Sequence, residues 1–166
     1  MKYLIDTDAG TCVPATETKG CAVDLMEKDK GAKEWDDTVT KIQTWYYGKI
    51  VKAAWCATSA SYYMNKAGYG ITKAQNVYNL LCNCRKVKSG KLYERNELPL
   101  TVKRGDVLFW LWKGDSMSSA SSKHVGFCET TTSDDTIRTL GGNQDDSICV
   151  KTYNKKYLYA IYRPEV

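Results

Sequence analysis

Five short runs rich in β-branched and aromatic residues follow one another in the second half of the chain, at 106–112, 124–129, 136–140, 148–153 and 157–162, with turn clusters between them. The first half instead carries apolar residues at helical spacing. Closely spaced strands pair antiparallel, and a sheet with an apolar face needs a second layer to cover it. The chain is therefore expected to be α+β, with N-terminal helices packed on a C-terminal antiparallel sheet or half-barrel. Its 166 residues suffice for a single core.

In the helical half, Trp35, Val39, Ile42 and Tyr46 form a stripe that predicts a helix over 33–47, ended by Gly48. From Cys56, the residues Ala57, Ala60, Tyr63, Met64 and Ala67 predict a second helix with one core-directed face, stopped by Gly68. Thr72 with Gln75 reads as a capping box before Val77, Leu80, Leu81 and Cys84. Residues 87–103 read as a charged loop, and the serine-rich stretch 114–123 as the lip of a cleft. Residues 1–31, polar and turn-rich, read as an N-terminal extension to a domain over 32–166.

Three of these positions carry chemistry. Cys56 falls in the first turn of its helix, where free N–H groups and the helix dipole favour a thiolate. The same position also suits a plain buried thiol. His124 is the one histidine and begins a strand, and Asn143 ends the next. That is the order nucleophile, base, orienter. Along its strand His124 shares a face with Gly126 and Cys128; if Val125 and Phe127 face the core, His124 points toward the helix side.

Trp55-Cys56-Ala57, Arg104-Gly105-Asp106-Val107, His124-Val125-Gly126 and Gly141-Gly142-Asn143-Gln144 resemble, in matching order, the CHAP and NlpC/P60 superfamily of peptidoglycan amidases and endopeptidases. The resemblance runs from about Ile50 to Pro164 and is nearest to phage lysins. It implies a papain-like fold and a catalytic set of Cys56, His124 and Asn143. It also implies Trp55, Trp112 and Gln144 as substrate-binding residues, bacterial peptidoglycan as substrate, no cofactor or metal, and holin-dependent release. The bond cut would be that of an N-acetylmuramoyl-L-alanine amidase or a murein endopeptidase. Many relatives carry a glutamate where this chain has Gly141, which leaves Gln144 or a backbone carbonyl as alternative orienters. If that charge matters, Gly141→Glu would raise activity. An interbacterial amidase toxin would use the same site. A silent wall-binding or virion domain would have no need of all three residues.

The net charge of +5 comes without a concentrated basic tract, Lys151, Lys155 and Lys156 being the nearest approach. Such a surface suits an anionic partner such as wall polymer. No zinc finger, RNP motif or helix-turn-helix appears, so nucleic acid is not expected. Twelve tyrosines and five tryptophans suit a polymer-binding groove. The opening apolar run stops at Asp6, and no stretch is long enough to span a membrane. The chain is thus expected to be made in the cytoplasm without a signal peptide and to act on the wall after release. Seven cysteines without scaffold-like spacing read as free thiols. Two metal readings rank below these: Asp6, Asp8 and Glu17 as an imperfect calcium loop, and Cys12, Cys21, Cys82 and Cys84 as zinc thiolates.

Overall fold

The structure, a computed structural model, describes the backbone of residues 3–5 and 12–14 and, in full, residues 21–113, 116–118 and 122–164. Strands β1 (Tyr3–Ile5) and β2 (Cys12–Pro14) pair as a two-stranded antiparallel sheet. Four helices follow: α1 (Ala22–Glu27), α2 (Asp37–Tyr47), α3 (Cys56–Lys66) and α4 (Val77–Lys86). The remaining strands are β3 (Gly90–Glu94), β4 (Val107–Leu111), β5 (Lys123–Cys128), β6 (Thr136–Gln144), β7 (Ser147–Asn154) and β8 (Leu158–Pro164). They form one antiparallel sheet in the order β3-β8-β4-β5-β6-β7, with the helices against one face. The expected α+β arrangement is thus present.

Alternation along β4 and β5 sorts the core into two. Val107, Phe109, Leu111, Val125 and Phe127 join the helices in the larger cluster. Leu108, Trp110 and Cys128 fill a smaller one on the opposite face, with Ile137, Leu158 and Ile161 and with Val102 from the segment before β4. A strand buried on both faces needs an apolar residue at every position, and Val-Leu-Phe-Trp-Leu supplies it.

The sequence predicts α3 with a single buried face, yet Cys56 through Met64 are all buried. Three of the polar positions, Thr58, Ser59 and Ser61, are small; both serine hydroxyls find backbone partners, while the buried Thr58 hydroxyl has none among the described residues. Ser59 Oγ donates to Cys56 O at 2.9 Å and Ser61 Oγ to Ala74 O at 3.0 Å. Small, internally bonded residues let α3 sit between the sheet and its neighbouring helices at little cost in desolvation.

Other boundaries move for local reasons. Trp35 lies outside α2, exposed, with φ 75, because Asp36 takes the Lys33 N–H in a turn before the helix starts. Asn76, not Thr72, caps α4, accepting from Asn79 N. Within the expected loop 87–103, β3 pairs with β8 at the sheet edge. Lys33 bridges to Ser147, and α1, which lies in the expected extension, buries Ala22, Val23 and Met26.

The motif Arg104-Gly105-Asp106-Val107 acts as a fastener. Arg104 donates to Asp24 and Glu27 of α1 and to Glu129 O. Gly105, at φ 94, turns the chain so that the buried carboxylate of Asp106 takes two hydrogen bonds from Arg163 of β8. Burial pushes that carboxyl up, while Arg163 and the Lys103 N–H favour its charge.

Candidate active site

Cys56 is the first residue of α3, and two features bring it there. Gly48 ends α2 at φ 74. The buried amide of Gln43 then accepts the Val51 N–H at 3.1 Å, which fixes the connection leading to the helix. Beyond Phe127–Leu140 and Cys128–Thr139, β5 and β6 no longer pair. The start of α3 seats in this fork. Gly142 of β6 lies so close that a Cβ there would meet Ser59 Oγ and the Trp55 ring.

The Cys56 side chain is 8% exposed, and burial pushes its thiol above the ordinary value. The main-chain N–H groups of Val125, Ala57 and Cys56 itself face the sulfur and oppose that shift. Val125 directly follows His124, so thiol and imidazole belong to the same end of β5.

Val125 and Phe127 do face the helices, but His124 does not turn with them. It lies on the other face, edge-on to Tyr153 with ring centroids 5.9 Å apart. The fork is what lets the helix start approach from the opposite side. Burial lowers the imidazole to about 4; the hydrogen bond that His124 donates to Gln144 works against this and the Lys151 charge adds to it. In the closed site both groups are therefore neutral.

His124 Nε2 lies 2.8 Å from Gln144 Oε1. The Gln144 amide is itself fixed: its Nε2 donates to Cys149 O at 2.6 Å and to Thr139 O at 3.2 Å. Its oxygen therefore faces His124 and also accepts from Tyr153 OH at 3.1 Å. An acceptor there requires the proton on Nε2 and leaves Nδ1 with the lone pair. Two main-chain carbonyls thus select the tautomer of the one histidine.

The hydrogen bond expected from Asn143 falls to the next residue because of a bulge. Register runs from Gly141↔Cys149 to Gln144↔Ser147, so β6 carries one extra residue there. Asn143, at φ 58, absorbs it, and the alternation of faces shifts by one. Gln144 then comes to the face of Gly141, where a Cβ would stand 2.9 Å from Gln144 Oε1 and 3.1 Å from His124 Nε2. Asp145 and Asp146, at φ 50 and 56, make the two-residue turn into β7.

Two of the residues expected to bind substrate sit elsewhere. Trp55 is 1% exposed and packs on Gly142, so its ring is a wall of the fork rather than a lining of the cleft. Trp112 is half-buried, stacked on Trp110 at 5.7 Å, and reaches the site through Tyr153, 4.7 Å from it. Tyr153 itself escapes a sequence reading, because its part in the site follows from the pairing of β6 with β7. Among the described residues no group of three or more histidines, cysteines and carboxylates could hold a metal. Asp6, Asp8, Glu17 and the Cys12 side chain lie outside the described residues, as does part of the 114–123 stretch.

No helix among the described residues is long and apolar enough to cross a membrane. No curated protein matches the chain. The structure is similar to the crystal structure of a wild-type endolysin, LysIME-EF1, with a TM-score of 0.57 at 14% identity. The alignment covers 86% of this chain and 62% of that one, and at this identity the likeness is one of fold. The sequence matches the CHAP domain over residues 45–143, a span that takes in Cys56 and His124. That span is more than half of the chain, which therefore belongs to the CHAP domain family of amidase and endopeptidase hydrolases.

Proposed function

We propose that the protein cleaves an amide or peptide bond of bacterial peptidoglycan by thiol chemistry, with Cys56 as nucleophile and His124 as base. Nδ1 of His124 takes the thiol proton as the sulfur attacks the carbonyl, and returns it to the leaving amine. Water then releases the acyl group from sulfur, with the same imidazole as base. The Cys56 N–H at the start of α3 donates to the developing oxyanion. Gln144 orients the ring and holds its proton on Nε2, the role the family resemblance implies for Asn143. An amide has no charge to offer an imidazolium, so this contribution is positional.

One observation carries the reading: the only histidine is held in the tautomer that frees Nδ1, at the strand end where Val125 meets the Cys56 sulfur. A buried histidine kept merely for packing has no need of an amide so firmly oriented. Membership of the CHAP family supplies the substrate class. The fold likeness to an endolysin supports a lytic role of the kind phages use. The test is mass spectrometry of fragments released from purified sacculi by the parent protein and by Cys56→Ala. Fragments with a new amine or carboxyl terminus from the parent alone are expected, and their ends identify the bond. Equal release by a folded Cys56→Ala protein would remove Cys56 from the reaction.

A further inference from the structure

Charge is divided unevenly along this chain. Between Thr38 and Tyr93 there are nine of its 24 lysines and arginines and none of its 19 aspartates and glutamates. Elsewhere fifteen cations face nineteen acids, so the net positive charge belongs wholly to the segment that forms α2, α3 and α4. All nine cations (Lys41, Lys49, Lys52, Lys66, Lys73, Arg85, Lys86, Lys88 and Lys91) are exposed. Among the described residues, Arg85 alone of them has a carboxylate partner, Glu94 just past the segment.

Around the ends of α2 and α3, Lys66 and Lys73 are joined by one aromatic cluster. Lys73 Nζ lies 5.0 Å from the Trp45 ring centre and 4.8 Å from that of Tyr46, and donates to the carbonyls of both residues. Trp45 packs edge-on to Tyr62, and Lys66 lies 5.2 Å from the Tyr62 ring centre. Lys41 is one turn before Trp45, and Lys49 and Lys52 stand on the exposed connection to Cys56. Cations left without carboxylate partners repel one another, which favours an anionic ligand.

We propose that this face binds a phosphodiester-bearing polymer of the cell wall and holds the protein beside its substrate. The proposal rests on the reading of the chain as a peptidoglycan hydrolase. Its chemistry separates this ligand from other polyanions. Single-stranded nucleic acid needs open aromatic faces for its bases, and here Lys73 lies over Trp45 and Tyr46 and Lys66 over Tyr62. Lysine, which supplies eight of the nine cations, offers point charges suited to phosphates along a flexible chain.

The test uses Cys56→Ala, which binds without degrading the wall, and cosedimentation with purified walls before and after acid removal of their phosphodiester polymer. Neutralising Lys41, Lys49, Lys52 and Lys66 to Gln should lower binding to intact walls at least about tenfold at low salt. It should change little on stripped walls. Neutralising Lys28, Lys30, Lys113 and Lys156, four exposed lysines outside the segment, should leave binding near that of the parent. Thermal melts confirm that both variants are folded. Equal losses for the two sets, or parent binding that survives stripping, would overturn the proposal, as would tighter binding to DNA or to anionic lipid vesicles. Fragment release by the protein with Cys56 intact, measured on stripped walls, is a separate readout. Its failure would count against the hydrolase reading and not against the binding surface.

Discussion

A Cβ placed on Gly141 would stand 2.9 Å from Oε1 of Gln144, so the bare backbone of one residue is the room that the amide of the other occupies. A glutamate at this place would fill that room from position 141. Gly141→Ala should therefore lower turnover by crowding the His124–Gln144 hydrogen bond. Gly141→Glu should not raise activity while Gln144 is present. The double change Gly141→Glu with Gln144→Gly should recover activity relative to Gln144→Gly alone. Single-turnover rates on a defined wall fragment decide; a faster Gly141→Glu single variant would mean that the two side chains coexist.

Gln144→Ala should slow turnover by about thirty- to a thousandfold, the effect of roughly 2–4 kcal/mol on the barrier from one well-placed hydrogen bond. Asn143→Gly is the matched control, since glycine accepts φ 58 and only the amide is lost. It should stay near parental activity. If the glycine variant is slow and Gln144→Ala fast, the orienter is Asn143 after all.

Tyr153 donates to the same oxygen as His124 and packs against the imidazole edge. Burial raises its hydroxyl to about 12, so it remains a donor across the working range. Tyr153→Phe keeps the ring and removes the donor, and should lower kcat several-fold with KM little changed. A change confined to KM would place Tyr153 against substrate instead.

The pH dependence follows from two shifts away from charge. His124 is lowered to about 4 and the Cys56 thiol is raised by burial. In the proposed mechanism the pair is competent when it holds one proton between imidazole and sulfur. kcat/KM should rise as pH passes about 4, stay level through neutrality, and fall only above the ordinary thiol range. An acid limb near 6.5 would show that the imidazole is solvated in the working enzyme.

The same histidine bears on stability. Its folded value lies below the unfolded 6.5, so its contribution is complete above pH 6.5 and is lost as pH falls toward about 4. The loss is roughly 3 kcal/mol at 1.36 kcal/mol per unit. Denaturant midpoints at pH 7 and pH 4.5 should differ more for the parent than for His124→Gln. Equal differences would mean that carboxylates account for the whole effect.

Much of this was legible in the sequence because it rests on short-range signals. The strand runs, the Cys56 helix and the helix-ending Gly48 and Gly68 are written in local periodicity and turn chemistry. What escaped depends on pairing. Simple alternation puts Asn143 on the face of Gly141, and one left-handed residue in β6 hands that place to Gln144. Tyr153 joins the site only through the register of β7, and β3 forms only because β8 offers it an edge. The burial of α3 on all sides follows from small residues such as Ser61, whose partner Ala74 lies beyond the helix.

The buried, neutral Cys56 thiol has a bearing on how the protein survives before it meets a wall. Peroxides and alkylating agents attack thiolates in open water. A thiol 8% exposed, with its pKa pushed up, offers them little. In the proposed mechanism its reactivity is released only when a seated carbonyl lets His124 draw the proton away. On the proposed function, the resting protein would pass through oxidising surroundings with its nucleophile still reduced.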